Sequence, residues 1–334
     1  MYENFYKLSG TPFSLTPDAN CFYMSTQHAR ALATLNYALI SNAAVTVITG
    51  EVGTGKTTLV RRVLSGLDKK LNAGLLNNTH PNMGKLLPWI LAAFKVDPGN
   101  LDEIQQYHAF VKYLTNECEA GRRTVLVVDE AQNLTVEALE EVRLLSNLNL
   151  GEESILQVVL VGQPELNELL SHQELRQLSQ RIAVDYAISE FDFSQADEYI
   201  TYRLDKVGGS PSIFDFIARA VVYYHSLGIP RIINNICHLS MAYGYADSKS
   251  SIDVDIVRQV IASKKVGMAY TNTRLRSEDA VNLHRHILQT HEIDISFVES
   301  AEKDQDRLPD WMSGPSSNNN RSSCLLYTSD AADE

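Results

Sequence analysis

Ala44-Val45-Thr46-Val47-Ile48-Thr49-Gly50-Glu51-Val52-Gly53-Thr54-Gly55-Lys56-Thr57-Thr58 is the stretch that decides the fold. Ala44–Gly50 is a short apolar run ending in glycine, the pattern of a strand buried in a parallel sheet. Gly50–Thr57 then fills every fixed position of GxxxxGK[ST]. Beyond it Leu59, Val60, Val63, Leu64 and Leu67 fall at the spacing of one helix face. Strand, glycine loop and helix together form a phosphate cradle. Glycines let backbone N–H groups wrap an anion at a helix N-terminus, whose dipole favours negative charge. Lys56 is expected between the β- and γ-phosphates of a nucleotide, and the Thr57 hydroxyl on Mg²⁺.

Working outward, strands alternate with helices. Ala73–Asn77, Thr124–Val128, Ile155–Val161 and Ala183–Ile188 read as further strands. Leu101–Ala120, closed by Gly121, and Val136–Ser146 read as helices. That alternation predicts an α/β fold with a parallel five-stranded sheet and crossover helices. Val125–Val128 runs directly into Asp129 and Glu130. In open α/β sheets ligands bind beyond the carboxyl ends of the strands, so Asp129 is placed to hold Mg²⁺ through water. Glu130 is placed to polarise an attacking water. Gln163 follows the next strand, where its amide would reach the γ-phosphate or that water. Arg181 stands just before the last strand, positioned to reach a neighbouring subunit's γ-phosphate, with Arg176 as the competing candidate.

After Glu190 only helices are predicted: Ser194–Val207, Ser212–His225, Pro230–Tyr245 and Asp253–Ser263. The division expected is an α/β core over 1–190, including an N-terminal segment over 1–43, and a helical lid over 191–265. Gly228-Ile229-Pro230-Arg231 opens one lid helix with proline in its first turn, and Arg231 is expected to project onto the phosphates. A disordered tail is expected over 266–323, where Ser313–Ser323 is a low-complexity linker. Cys324–Glu334 (CLLYTSDAADE) is similar to the translation of a transposase-library adapter and is read as a sequencing scar. On that reading the natural C-terminus lies elsewhere.

The chain of 334 residues is 44% hydrophobic and 21% charged, an ordinary globular composition. No apolar run approaches the ~18–20 residues of a membrane span, and no signal peptide precedes Gly10. Four scattered cysteines without a CxxC pair argue against a zinc site or a disulfide framework and suit a cytoplasmic location. The formal charge of −12 does not favour DNA as a partner, although setting aside Asp330, Asp333 and Glu334 reduces it to −9. The doublets Arg61-Arg62, Lys69-Lys70 and Arg122-Arg123 read as solvated surface. The same holds for His284, His286 and His291, which lack a fourth metal ligand.

Several segments together resemble the AAA+ ATPases of the ExeA, or general secretion pathway protein A (GspA), type. They are Met1–Tyr6, Pro12–Asp18, Thr49–Thr58, Val127–Leu134, Leu139–Leu148, Gly162–Leu166, Leu175–Ile182 and Gly228–Cys237. Exosortase (XrtA)-associated secretion ATPases belong to the same group, and transposition ATPases of the TniB and MuB kind are related to it. The resemblance implies a P-loop NTPase of the AAA+ class with an ORC/Cdc6-like domain and a C-terminal helical lid. It also implies ATP and Mg²⁺ as ligands, and homo-oligomers with active sites between subunits. Carried onto this sequence, Gly50–Thr58 form the first nucleotide motif, Asp129 and Glu130 the second, Gln163 sensor 1, Arg181 the arginine finger and Arg231 sensor 2. Phe13, Phe22 and Tyr23 fit equally well a place near the adenine or an ordinary place in the core. The function implied is ATP hydrolysis that powers or assembles an envelope secretion or exopolysaccharide export system. An ATP-dependent DNA-binding transposition regulator is the other reading.

Overall fold

The strands of the sheet are short, apolar and parallel. The computed structural model describes residues 1–15, 22–66, 70–77, 79, 84–97, 99, 101–150 and 153–263. Seven strands lie among these: β1 (Val45–Gly50), β2 (Leu71–Leu76), β3 (Arg123–Val128), β4 (Asn149–Leu150), β5 (Glu153–Ser154), β6 (Leu156–Gly162) and β7 (Ile182–Ile188). β4 and β5 pair only with each other, as a two-residue antiparallel hairpin. The other five form one parallel sheet in the order β2-β3-β6-β1-β7. β1 and β6 are buried at every residue, which is why they read as unbroken apolar runs. β7 alternates instead, as an edge strand should.

Register carries the strand ends to one edge. Thr49 is opposite Gly162 and Gly50 opposite Ile188, while Val128 is opposite both Leu76 and Leu160. The residues that follow β1, β3 and β6 therefore emerge together.

Helices cover both faces. On one face α1 (Thr26–Ile40) and α2 (Lys56–Ser65) bury Leu35, Leu39, Leu59 and Val63 against Ile48, Val125 and Val159. On the other, α3 (Leu87–Ala93), α4 (Glu103–Glu119) and α5 (Val136–Leu145) bury Ile90, Phe110 and Leu139 against Leu126 and Val158. The short α6 (Glu165–Leu170) and α7 (Arg176–Ser179) complete that layer. Each buried aliphatic side chain contributes about 1.5–3 kcal/mol by leaving water. α4 begins at Glu103 rather than Leu101 because Asp102 forms a capping box with Gln105. α1 was not anticipated, although Ser25 caps it by accepting from the His28 N–H.

After β7 come α8 (Phe193–Asp205), α9 (Phe216–Ser226), α10 (Pro230–Ala246) and α11 (Val254–Ser263). The single helix expected over Ser212–His225 is broken. Pro211–Ile213 makes one 3₁₀ turn, and Phe214 is extended and forms a parallel bridge with Ile252. α9 starts only after Asp215, whose carboxylate accepts from the Ala218 N–H at 2.6 Å. Burying Phe214 completely and capping with Asp215 outweigh continuing the helix.

The first residues of the chain, part of the N-terminal segment expected over 1–43, lie on these C-terminal helices. Tyr2 Oη is 2.8 Å from His238 Nδ1, Tyr6 donates to the Lys249 carbonyl, and the Ser9 N–H to that of Val207. Phe13 is wholly buried edge-on to Phe214, and Arg203 Nε donates to the Pro12 carbonyl at 2.5 Å. Met1–Ser263 forms one compact unit. The expected tail over 266–323, the segment 324–334, the three tail histidines, Lys69 and residues 16–18 lie outside the described residues. Among the described residues no helix is long and apolar enough to cross a membrane.

Burial in the last turn of α9 pushes the His225 imidazole down to about 4. Folded His225 therefore stays neutral while the unfolded chain takes up a proton below its ordinary value near 6.5, so stability falls as pH falls through that window. The loss expected from this group between about pH 7 and pH 5 is about 2 kcal/mol. Urea denaturation at the two pH values should show a smaller loss in His225→Gln. His28, whose pKa burial also lowers, acts with the same sign, so the slope shrinks without vanishing. An unchanged pH dependence in the variant would contradict the assignment.

Candidate nucleotide site

The loop between β1 and α2 connects them in five residues, and its backbone is specialised for it. Gly53 (φ 87°) and Gly55 (φ 97°) both adopt the left-handed region that side chains disfavour. A Cβ on Gly53 would stand 2.5 Å from Arg231 Cβ, so the loop and the first turn of α10 touch at van der Waals distance. The Arg231 N–H donates to the Gly53 carbonyl at 3.3 Å, fixing that contact through the backbone. From the other side His28 Nε2 is 2.8 Å from the Thr54 carbonyl, while its Nδ1 is 2.7 Å from Ser25 Oγ.

Lys56 points into the loop. Its Nζ donates to the carbonyls of Gly50 and Glu51 at 2.7 and 2.9 Å, and the residue is only 6% exposed. Burial lowers its pKa, an effect opposed by the charges of Glu130 and Asp129. Asp129 lies across from it at the end of β3. Burial raises its pKa, whereas hydrogen bonds from Thr57 and the Glu130 N–H favour the ionised form. The Thr57 hydroxyl donates to Asp129 Oδ2 at 2.7 Å. That pair joins the loop motif to the strand-end carboxylates directly.

Glu130 has left-handed backbone angles (φ 54°, ψ 38°), a costly choice for a residue with a Cβ. Thr79 holds it there, donating to the carbonyls of Asp129 and Glu130 at 3.1 and 2.6 Å. The turn aims the carboxylate sideways toward β6. Glu130 Oε2 accepts from Gln132 Nε2 at 2.7 Å and from Gln163 Nε2 at 3.4 Å. Gln132 Oε1 in turn accepts the main-chain N–H of Gln163 at 3.0 Å.

Residues 39–170 match the AAA domain family. The chain is 38% identical over 253 residues to general secretion pathway protein A of Aeromonas hydrophila, covering 75% of this chain and 46% of that protein. It thus spans about half the length of the curated relative it matches. The chain carries an AAA domain.

Solved structures agree on the fold. Cdc6p from Pyrobaculum aerophilum superposes with a TM-score of 0.57 at 15% identity, covering 84% of each chain. The Aeropyrum pernix ORC2 protein, in ADPNP-ADP complexes, gives 0.51 at 17% identity over 74% of this chain and 70% of that one. The AAA domain match fits the glycine loop between β1 and α2, and the chain is similar to general secretion pathway protein A.

Gly50–Thr58, Asp129, Glu130 and Gln163 of this AAA domain gather at one edge of the sheet, where Arg231 joins them from α10. Arg181 does not join them. It precedes β7, at the opposite end of the strands, about 16 Å away along β1 by strand rise. There its Nη1 donates to the Ser146 carbonyl at 3.3 Å, in an open cleft of about 570 Å³ shared with Ile40, Asn42, Arg123 and Asn149. Arg176 is exposed at the start of α7. Phe22 is near the loop, edge-on to His28, but Phe13 is packed in the helical part instead. In the Arg122-Arg123 doublet, Arg122 pairs bidentately with Glu117 and Arg123 donates to the Leu39 carbonyl.

Three contributors escaped the sequence reading: His28, Thr79 and Gln132. Gln132 lies inside the quoted Val127–Leu134 segment, but only the turn at Glu130 reveals what it touches. For a hard cation the donor set fits: a hydroxyl and a carboxylate, oxygen donors 2.7 Å apart, are what Mg²⁺ takes. Among the described residues no group of three or more His, Cys, Asp or Glu forms another metal site.

Gly53→Ala tests the loop's contact with α10. The added Cβ should cost about 1–2 kcal/mol in the left-handed region, and more through the Arg231 contact. A lower melting temperature with weaker nucleotide binding is expected, and wild-type values for both would exclude the contact as described.

Proposed function

We propose that this chain binds ATP with Mg²⁺ at the edge formed by Gly50–Thr58, Asp129 and Glu130, and hydrolyses it. The observation that carries this reading is the 2.7 Å hydrogen bond from Thr57 to Asp129, which brings both nucleotide motifs to one point. Lys56 and the loop N–H groups bind the phosphates, and Thr57 and Asp129 hold the metal. Bound Mg²⁺ neutralises charge on the phosphate oxygens. Glu130 takes the proton of the attacking water, Gln163 orients that water, and Arg231 reports from the helical lid over 191–265. Arg181 cannot serve its own site from the far end of the strands. It acts instead on the γ-phosphate of a neighbouring subunit, which requires a ring or another homo-oligomer. The similarity to general secretion pathway protein A supports work in the cytoplasm on an envelope secretion or export apparatus.

Glu130→Gln should bind ATP normally and lose turnover by about 100-fold or more, as expected when a positioned base is removed. Equilibrium binding of a fluorescent ATP analogue beside phosphate release measures both. Undiminished phosphate release would remove Glu130 from the chemistry. For the neighbouring-subunit role, Lys56→Ala and Arg181→Ala proteins are each expected to be inactive. Mixing them should restore part of the rate, because one interface in the mixture combines an intact cradle with an intact arginine. If mixed oligomers form and no activity returns, Arg181 does not act across the interface.

A further inference from the structure

We propose that Gln132 is a positioning residue that couples Gln163 to the base Glu130; this rests on the roles given to those two residues above. The argument begins with what each partner can do. A main-chain N–H only donates and an ionised carboxylate only accepts. Between the Gln163 N–H and the Glu130 carboxylate, the bridging group must therefore accept at one end and donate at the other. The primary amide of Gln132 does both, at 3.0 and 2.7 Å, and only one of its two amide orientations satisfies both partners.

The backbone around it leaves few other freedoms. Thr79 and the Asn133 N–H hold the Glu130 carbonyl, so the left-handed turn is fixed and the carboxylate torsions remain. Those torsions are set by two amides of unequal strength. The 3.4 Å contact from Gln163 Nε2 is at the long limit of a hydrogen bond, whereas the 2.7 Å contact from Gln132 is short. The Gln163 side chain can therefore turn to a phosphate at small cost while Gln132 keeps hold of Glu130. Any shift of Gln163 still reaches the base, because its main-chain N–H is bonded to the same Gln132 amide.

A second observation supports the coupling independently. Gly162, the last residue of β6, has no Cβ where one would stand 2.8 Å from Gln132 Oε1. The strand end is thus shaped to admit this amide. Gly162→Ala should displace it without substituting Gln132, although the same Cβ would also press on Leu166 at 3.0 Å.

The test compares Gln132→Met, which keeps length and removes both bonds, with Gln132→Glu, which keeps the acceptor and removes the donor. Both should lower kcat about 10- to 100-fold, the worth of a hydrogen bond to a charged group. KM for ATP and the Kd for a fluorescent ATP analogue should stay within about twofold, since neither bond touches the phosphate cradle. Gln132→His, which restores a donor and an acceptor on one ring, should recover part of the loss. Gly162→Ala should reproduce the fall in kcat at wild-type ATP affinity. The double variant Gln132→Met/Gln163→Ala should lose less than the product of the single losses, because the two residues act through one carboxylate. Wild-type kcat in Gln132→Met and Gln132→Glu overturns the coupling, as does a loss of ATP affinity that matches the loss of kcat. Glu130→Gln measured in parallel separates the two levels. Its collapse beside active Gln132 variants refutes the coupling alone, whereas its full activity refutes the reading of the site as well.

Discussion

The loop from Gly50 to Gly55 is held by elements that are far from it in sequence and adjacent in space. Gly50 is the last residue of β1 and lies against the Ile188 carbonyl at the end of the neighbouring edge strand β7. Gly53 touches α10 at Arg231, and the Thr54 carbonyl receives His28 from α1. A loop rich in left-handed glycine would be disordered by itself, because glycine has the most conformational freedom to lose. Packing against three elements removes that freedom before any ligand arrives. The cradle is thereby pre-organised, and it is mechanically connected to each of the three.

Charge at this edge is balanced without being neutralised. One buried ammonium, Lys56, faces two carboxylates, Asp129 and Glu130, and desolvation penalises the ionised forms of Lys56 and Asp129. The protein answers with hydrogen bonds. Two loop carbonyls take the ammonium, a hydroxyl and a main-chain N–H take Asp129, and two amides take Glu130. Each partner is neutral, so no surrounding ion pair fixes the charges permanently. That is the electrostatic condition for a site that must accept a polyanion together with a divalent cation.

Much of the fold was legible because buried parallel strands show as uninterrupted apolar runs. β1, β3 and β6 end where sequence reading ends them, to within a residue or so, and the residues after them carry the chemistry. Reading failed where tertiary contacts outweigh periodicity. The break at Phe214 follows from a bridge to Ile252, nearly forty residues away, and no local pattern announces it. α1 had a legible signal, Ser25 before Ala31, Leu35, Ala38 and Leu39 on one face, that went unread. Gln132 had none. Its role depends on a left-handed turn at Glu130 that places i and i+2 side by side, which neither strand nor helix periodicity would suggest. Phe13 was open to either a place near the nucleotide or one in the core, and burial of its ring against Phe214 decided its position.

The placement of the first residues changes how the helical part must be understood. Tyr2, Tyr6 and Phe13 complete the packing of helices α8 to α11, so that layer is built from both ends of the described chain. Tyr23 continues the connection, packing edge-on to Phe191 and Tyr199 and donating to Glu198. Phe22 and His28 then carry it to the Thr54 carbonyl. The helices therefore meet the phosphate loop twice, once through Arg231 on Gly53 and once through the N-terminal segment on Thr54. The two contacts grip neighbouring residues of the same loop. The helices and the cradle are in this way joined at two adjacent residues of one loop, Gly53 and Thr54.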